Sequence, residues 1–228
     1  MDLVRLAERI ADHRREVGPS CALLVGISGI DGSGKGFLTA RLAPHLEARA
    51  LKVASINVDG WLNLPARRFS PDRPASHFYH HALRLEELFS QLVLPLRDHR
   101  RVDLVAEFAE ETATTYRPHR YHWEGVDVVL LEGIYLYKRA YRPYFDLAGW
   151  VDCSFETALA RALARGQEGL PPEAARRAYE TIYFPAQRLH FVLDDPRGTA
   201  DWLVQNDPRL AGEGEEAGVA GSRGPVDV

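Results

Sequence analysis

The sequence predicts an α/β fold with a central parallel sheet of five strands flanked by helices. Three observations predict it. Five short apolar runs recur along the chain, helical patterns separate each run from the next, and a glycine-rich segment joins the first run to a helix. Buried strands that alternate with helices are typical of parallel sheets.

The predicted strands are runs rich in branched apolar residues. They are ALLVGIS (22–28), VASINV (53–58), VDVVLLE (126–132), GWVDCSF (149–155) and ADWLVQN (200–206). Ligands of parallel sheets bind beyond the carboxyl ends of the strands. Residues that directly follow these runs are therefore the first candidates for a functional site.

The segment GISGIDGSGKGF, residues 26–37, contains the phosphate-binding pattern GxxxxGK. In such loops, backbone N–H groups and the start of the following helix bind phosphate, while glycines let it approach closely. The chain has only three lysines, and one of them, Lys35, stands where an ammonium group reaches the β- and γ-phosphates. The predicted nucleotide-binding residues are Gly29, Asp31, Gly32, Ser33, Gly34, Lys35, Gly36 and Phe37.

Gly36 stands where this pattern has a Ser or Thr hydroxyl, which is a ligand of Mg²⁺. Because Mg²⁺ keeps several waters, nearby carboxylates can hold its shell without that hydroxyl. Asp59 and Glu132 each follow a predicted strand and are the candidate metal residues. One of them can orient the metal through water, and the other can accept the proton of an attacking hydroxyl. The alternative for either acid is a cap on the next turn.

Residues 60–125 separate two predicted strands by more than one crossover needs. They contain the helical stretch LRLEELFSQLVLPL and are predicted to form an acceptor-binding insertion or lid. The candidate acceptor contacts are Trp61, Tyr79, His80, Tyr116, His119 and Arg120. For TTYRPHRYHW a surface loop is the alternative. His77, His80 and His81 have a helical spacing that could ligate a metal, with aromatic packing as the alternative.

Six segments, in this order and spacing, resemble the uridine kinase-like branch of the P-loop kinases, which also contains phosphoribulokinase and bacterial pantothenate kinase. They are GISGIDGSGKG, NVDGW, VVLLEGIYLY, VDCSFETALARALAR, YFPAQRLHF and ADWLVQND, and the likeness covers about residues 20–207. The resemblance implies a P-loop NTPase fold that transfers the γ-phosphoryl group of ATP to a small-molecule hydroxyl, with ATP and Mg²⁺ as cofactors. It also implies Asp59 as the base, Glu132 as the acid of the magnesium shell, and a lid helix with arginines.

Arg161 and Arg165 are four residues apart in a predicted helix, so both guanidinium groups lie on one face. This geometry suits convergence on one triphosphate and resembles the lid arginines of the family. A solvated helix face is the alternative. Residues from about 155 to 190 are predicted to form the lid and the helix that follows it.

The sequence leaves the phosphoryl acceptor open. Nucleoside kinases of this family place an acid after the DG strand to hold the ribose hydroxyls, whereas SHFYHHALRLEEL has no acid before Glu86, and Leu62 replaces an expected Tyr. The first expectation is a nucleoside 5′-hydroxyl, as in uridine or cytidine. The alternatives are another alcohol, such as a sugar phosphate or a pantothenate-like acid, and a catalytically weak nucleotide-binding regulatory protein, which the missing hydroxyl at Gly36 would explain.

Composition predicts one cytoplasmic domain over residues 1–206, with residues 207–228 as a glycine-rich, acidic and disordered tail. The net charge is −4, from 28 basic and 32 acidic residues, which argues against a general nucleic-acid binder. No run approaches the roughly 18 apolar residues of a membrane span. The expected partner is a small-molecule hydroxyl acceptor, without nucleic acid or membrane, and a homo-oligomer stays open.

Overall fold

A computed structural model describes residues 2–209. Its strands are β1 (Leu23–Gly29), β2 (Val53–Asn57), β3 (Arg101–Phe108), β4 (Arg117–Glu124), β5 (Val128–Gly133), β6 (Leu147–Asp152) and β7 (Trp202–Gln205). Its α-helices are α1 (Leu3–Glu16), α2 (Lys35–Glu47), α3 (Pro65–Arg68), α4 (Pro74–His81), α5 (Leu85–Leu88), α6 (Leu94–His99), α7 (Phe155–Arg165), α8 (Pro172–Ala178) and α9 (Phe184–Asp194). None of these helices has the length and apolar character that a membrane span requires.

The main sheet has five strands in the order β2-β5-β1-β6-β7, and every neighbouring pair is parallel. The predicted fold class is therefore confirmed at the level of strand number and direction. Every residue of β1 and β5 is buried, because these strands lie inside the sheet and both of their faces are covered.

Separate hydrophobic cores cover the two faces of this sheet. On one face, α1 and α2 pack Leu6, Ile10 and Leu42 against alternate residues of β1 and β5. The opposite face packs against residues of the insertion and of α7 and α9, among them Trp61 and Phe184. The sheet is thus held rigidly, and the loops at its carboxyl edge keep fixed positions.

The insertion between β2 and β5 contains an antiparallel hairpin, β3 and β4, that the sequence analysis did not predict. Its register runs from Arg101 opposite Glu124 to Phe108 opposite Arg117. The predicted helical stretch lies within a helical run over residues 85–99, in which a π-helical turn joins α5 to α6. The insertion is therefore a mixed helix and hairpin layer.

The predicted disordered tail begins inside the folded domain. Asp207 is buried, and its carboxylate accepts hydrogen bonds from the Ser154 backbone N–H at 2.7 Å and from Thr157 Oγ1 at 2.9 Å. Asp207 thus ties the end of the sheet to the start of α7. The prediction for residues 210–228 lies outside the described residues.

Gly149 in β6 leaves room for the indole ring of Trp202 in β7. A Cβ atom at Gly149 would lie 2.0 Å from that ring. We therefore expect Gly149→Ala to lower the free energy of unfolding by about 1 to 3 kcal/mol, because overpacking forces the ring or the strand to move. Denaturant unfolding measures the change.

Gly18→Ala is the matched control, because nothing lies within 4 Å of a Cβ atom built there. We expect this variant to unfold like the wild type. Equal stability of Gly149→Ala and wild type would show that the Trp202 ring can move away from β6 without lowering the free energy of unfolding.

Candidate active site

The carboxyl ends of β1, β2 and β5 open onto one cavity of about 350 Å³. The register of the sheet brings these strand ends together, because Asn57 of β2 lies opposite Glu132 of β5, and Ser28 of β1 lies opposite Gly133. Of the predicted site residues, those that line the cavity are Asp31, Gly32, Gly34, Lys35, Gly36, Phe37, Asp59, Glu132, Arg161 and Arg165.

The glycine-rich loop needs glycine at two positions for its backbone shape. Gly32 and Gly34 have φ angles of +76° and +93°, and Gly34 directly precedes the first residue of α2. A Cβ atom at Gly32 would lie 2.4 Å from the Ala158 carbonyl oxygen. The loop is therefore packed tightly against α7.

Two predicted nucleotide-binding residues support the loop and do not line the cavity. A Cβ atom at Gly29 would lie 2.6 Å from Ser33 Oγ, so these residues pack against each other beneath the loop. The Asn206 side-chain amide donates to the Ser33 carbonyl oxygen at 2.7 Å. Gly29 and Ser33 thus set the shape of the loop.

Lys35 lies at the start of α2, and its ammonium group donates to the Ile30 carbonyl oxygen at 3.2 Å. The side chain therefore folds back over the glycine-rich loop.

Glu132 lies directly beside Gly36. A Cβ atom at Gly36 would be 3.3 Å from Glu132 Oε1, so the missing side chain leaves room for this carboxylate. Glu132 is buried, and its carboxylate has no hydrogen-bond or ion-pair partner among residues 2–209. Burial raises the pKa of Glu132 to about 7, the Lys35 charge opposes this shift, and the Asp59 charge adds to it.

Asp59 lies in a short turn of 3₁₀-helix directly after β2. Its backbone N–H donates to Asn57 Oδ1 at 2.7 Å, which fixes the turn at the cavity. Burial raises the pKa of Asp59, with Lys35 opposing and Asp31 adding to the shift. A carboxylate with a raised pKa is a better acceptor for the proton of a hydroxyl group.

The two predicted lid arginines both contact the glycine-rich loop. Arg161 Nη1 lies 3.4 Å from the Ser33 carbonyl oxygen, and Arg165 Nη2 lies 3.2 Å from Asp31 Oδ1. The Tyr179 hydroxyl lies 2.6 Å from Asp31 Oδ2. Burial alone would raise the pKa of Asp31, but Lys35, Arg165 and Tyr179 outweigh burial and hold it below its usual value.

No protein-family model and no curated protein sequence matches the chain, whereas solved structures match its fold. A possible uridine kinase from Bacillus stearothermophilus is 20% identical, with a TM-score of 0.64 over 87% of this chain and 98% of that one. A candidate fructose transport system kinase from Silicibacter sp. TM1040 is 21% identical, with a TM-score of 0.69 over 90% and 99%. D-glycerate 3-kinase from Cryptococcus neoformans is 16% identical, with a TM-score of 0.61 over 89% and 93%.

The chain has the fold of the P-loop kinases. The resemblance to the uridine kinase-like branch, drawn from six short segments, is thereby confirmed at the level of fold. In this P-loop kinase fold, the start of α2 carries Lys35, β5 carries Glu132, and α7 carries Arg161 and Arg165.

Two predicted acceptor contacts lie in the hydrophobic core of the P-loop kinase fold. Trp61 is fully buried and stacks on Tyr121 with ring centroids 5.9 Å apart. Tyr79 is 5% exposed, and its hydroxyl donates to Asp194. Neither side chain lines the cavity, because Tyr121 of the hairpin packs on Trp61, whereas Tyr135 and His190 pack on Tyr79.

Three further candidates lie outside the cavity. His80 is exposed and borders a separate hollow beside Lys138. The Tyr116 ring packs against the Arg84 guanidinium group at 4.6 Å. Arg120 points to the outer face of β4, where it makes two hydrogen bonds, of 2.8 and 2.6 Å, to the Asp103 carboxylate.

His119 faces the inner side of the hairpin and lines a second hollow of about 560 Å³ beside the cavity. Arg120 also lines this hollow, so His119 and Arg120 are the two predicted acceptor contacts of the six that share a hollow with Asp59, which lines both spaces. For the histidine alternative, His77 Nε2 lies 2.9 Å from the Arg67 carbonyl oxygen. Among residues 2–209, no three His, Cys, Asp or Glu side chains group as ligands of one metal ion.

Several cavity residues were not predicted from the sequence. They are Asn57, Leu62, Phe78, Glu111, Ile134, Gln167, Glu168, Tyr183 and Gln187. Gln187 is 3% exposed, its Oε1 accepts from the Asp31 backbone N–H at 3.2 Å, and its Nε2 is buried without a partner. Gln187 lies in the segment YFPAQRLHF, so the family-like segments could have indicated it. Glu111 has no comparable sequence signal.

The raised pKa of Glu132 predicts a specific pH dependence of stability. Because its pKa is higher in the folded chain than the usual 4.5, its contribution is favourable at low pH and is lost as pH rises towards 7. We expect Glu132→Gln to unfold like the wild type at pH 5 and to be more stable at pH 8, by up to about 3 kcal/mol. Denaturant unfolding with a chelator and without nucleotide measures this difference.

Glu47→Gln makes the same chemical change at an exposed position of α2 and is the control. It should show the wild-type difference between pH 5 and pH 8. Destabilisation of Glu132→Gln at both values would mean that the carboxylate has a stabilising partner in the folded chain.

Proposed function

We propose that the chain is an ATP-dependent kinase that transfers the γ-phosphoryl group to a hydroxyl group of a small molecule. The observation that carries the proposal is the meeting of Lys35, Asp59 and Glu132 in one cavity, under the two lid arginines. These are the groups that phosphoryl transfer needs: charge for the phosphates, a base for the hydroxyl, and an acid for the metal.

The donor side of the site binds the triphosphate. Backbone N–H groups of the glycine-rich loop and the start of α2 hold the phosphate oxygens, and Lys35 leaves the Ile30 carbonyl oxygen to neutralise them. Arg165 pairs with Asp31 in the free chain and exchanges this partner for a phosphate oxygen. Catalysis then rests on positioning and on charge stabilisation.

Glu132 fits a hard cation at the end of this loop. Its carboxylate is buried, unpaired and next to the position that Gly36 leaves open. Mg²⁺ binds one or two carboxylates together with phosphate oxygens and water, so Glu132 suffices without a Ser or Thr. When bound there, Mg²⁺ neutralises charge that develops on the phosphate oxygens.

Asp59 is the proposed base. As the acceptor oxygen forms its bond to the γ-phosphorus, the bond from that phosphorus to the ADP oxygen breaks, and the hydroxyl proton passes to Asp59. The raised pKa of Asp59 suits this role, because it increases the proton affinity of the carboxylate.

A nucleoside 5′-hydroxyl, as in uridine or cytidine, is the first acceptor to consider. The names of the matched structures mention uridine, fructose and D-glycerate, which supports a small-molecule alcohol as the class. The fold similarity does not indicate which of these alcohols the chain binds.

Release of ADP from Mg·ATP in the presence of single alcohols tests the proposal. The panel contains uridine, cytidine, fructose, glycerate, ribulose 5-phosphate and pantothenate. We expect at least one alcohol to be phosphorylated, Lys35→Ala to weaken both ATP binding and transfer, and Asp59→Asn to reduce transfer by about 10²- to 10⁴-fold while largely sparing ATP binding.

Asp72→Asn is the control for Asp59→Asn, because Asp72 is exposed and outside the cavity. Calorimetric titration of ATP separates binding from transfer. Near-normal turnover of Asp59→Asn would exclude it as the base.

The missing hydroxyl at Gly36 favours a second candidate, a nucleotide-binding regulatory protein without turnover. Substitutions of Gly36 distinguish the kinase from the regulatory protein. Because a Cβ atom at Gly36 would crowd Glu132 Oε1, we expect Gly36→Ser and Gly36→Ala to reduce transfer to a similar extent, by about 3- to 10-fold at limiting Mg²⁺.

Gly36→Ala adds the same Cβ atom without the hydroxyl, so it isolates crowding from metal ligation. Transfer rates against Mg²⁺ concentration provide the measurement. A large gain in Gly36→Ser alone would show that the natural site lacks a needed metal ligand and would favour the regulatory candidate.

A further inference from the structure

The positive charges of the cavity all lie on its donor side. Lys35, Arg161 and Arg165 belong to the glycine-rich loop and the lid, whereas the lining residues from the insertion are Leu62, Phe78 and Glu111, none of which is cationic. In the adjoining hollow, the guanidinium group of Arg120 is already paired with a carboxylate. An anionic acceptor would therefore meet no positive charge on the insertion residues that line the cavity itself, and in the adjoining hollow Arg120 would have to exchange Asp103 for it.

Glu111 projects from the loop between β3 and β4 and lines both the cavity and the adjoining hollow. A buried arginine holds it there. Arg68 Nη2 donates to the Glu111 carbonyl oxygen at 2.7 Å and lies 3.4 Å from its Oε1. The Arg68 side chain is 2% exposed and packs on the Phe69 ring at 4.9 Å. Because this packing fixes the guanidinium group, Arg68 holds Glu111 in one position.

The carboxylate of Glu111 remains accessible from the cavity, since 25% of the surface of its side chain is exposed. Burial raises the pKa of Glu111 to about 7, Arg68 opposes the shift, and the Asp59, Asp31 and Glu168 charges add to it. An anionic group of the acceptor next to Glu111 would add to the repulsion among these carboxylates. A neutral hydroxyl group, in contrast, can donate a hydrogen bond to Glu111.

We infer that Glu111, positioned by Arg68, binds a hydroxyl group of the acceptor next to Asp59, and that the acceptor is a neutral polyhydroxyl compound. The inference rests on the proposed kinase function and names the substrate class within it. Glu111 reaches the site from the loop between β3 and β4, 43 residues beyond its partner Arg68 in the chain.

Matched pairs of alcohols test the inference in the full chain with Mg·ATP. The pairs are uridine with orotidine, ribulose with ribulose 5-phosphate, and pantothenol with pantothenate, so each pair differs by one anionic group. We expect the best substrate to be a neutral member, with a kcat/KM at least about tenfold above that of its anionic partner.

Glu111→Gln should raise the KM of that neutral substrate about tenfold or more, with little change in kcat or in ATP binding, because a hydrogen bond to a charged acceptor is lost. Glu86→Gln, an exposed change outside the cavity, should leave both constants unchanged. Arg68→Lys should raise the same KM and leave ATP binding intact, which a general loss of folding would not do.

Different results would overturn the acceptor inference and the proposed kinase function. Preference for anionic members, or a KM for the neutral substrate that Glu111→Gln leaves unchanged, would overturn this inference while the kinase function stands. Absence of transfer to every alcohol, with ATP still bound, would overturn the kinase function and the acceptor class with it.

Discussion

The burial of several carboxylates in one cavity is the constraint on which the site depends. The cavity is lined by Asp31, Asp59, Glu111, Glu132 and Glu168, against Lys35, Arg161 and Arg165. Burial raises the pKa values of Asp59, Glu111 and Glu132, and the neighbouring carboxylates add to the shift while Lys35 or Arg68 opposes it. Such a site is costly for the free chain and becomes favourable only when a ligand brings positive charge or hydroxyl donors.

The fold and the donor half of the site could be predicted because local rules determine them. Two glycines at positive φ and the lysine that starts α2 are local signals of the loop, which contacts with Ala158 and Asn206 then hold in place. Parallel pairing then brings the ends of β2 and β5 together, since Asn57 lies opposite Glu132. An acid that follows a buried strand therefore reaches the loop by topology alone.

The acceptor half could not be predicted because distant contacts determine it. Trp61 and Tyr79 are equally suited to a pocket wall and to a core. The hairpin residue Tyr121 places Trp61 in the core, and Tyr135 and His190 place Tyr79 there. The alternation of His119, Tyr121 and Trp123 with polar residues is a strand signal that the sequence does carry. The position of Glu111 has no local signal, since it depends on a buried arginine of another element.

Gly36 and Glu111 illustrate one physical point from opposite sides. At Gly36 a side chain is absent, and the space admits Glu132 from β5. On the insertion side of the cavity, the segment after β2 contributes Leu62 and Phe78, and the hairpin loop adds Glu111. A carboxylate acts by the position of its oxygens, so any element that delivers those oxygens can replace another. The loss of a motif residue therefore has meaning only together with what occupies the space it leaves.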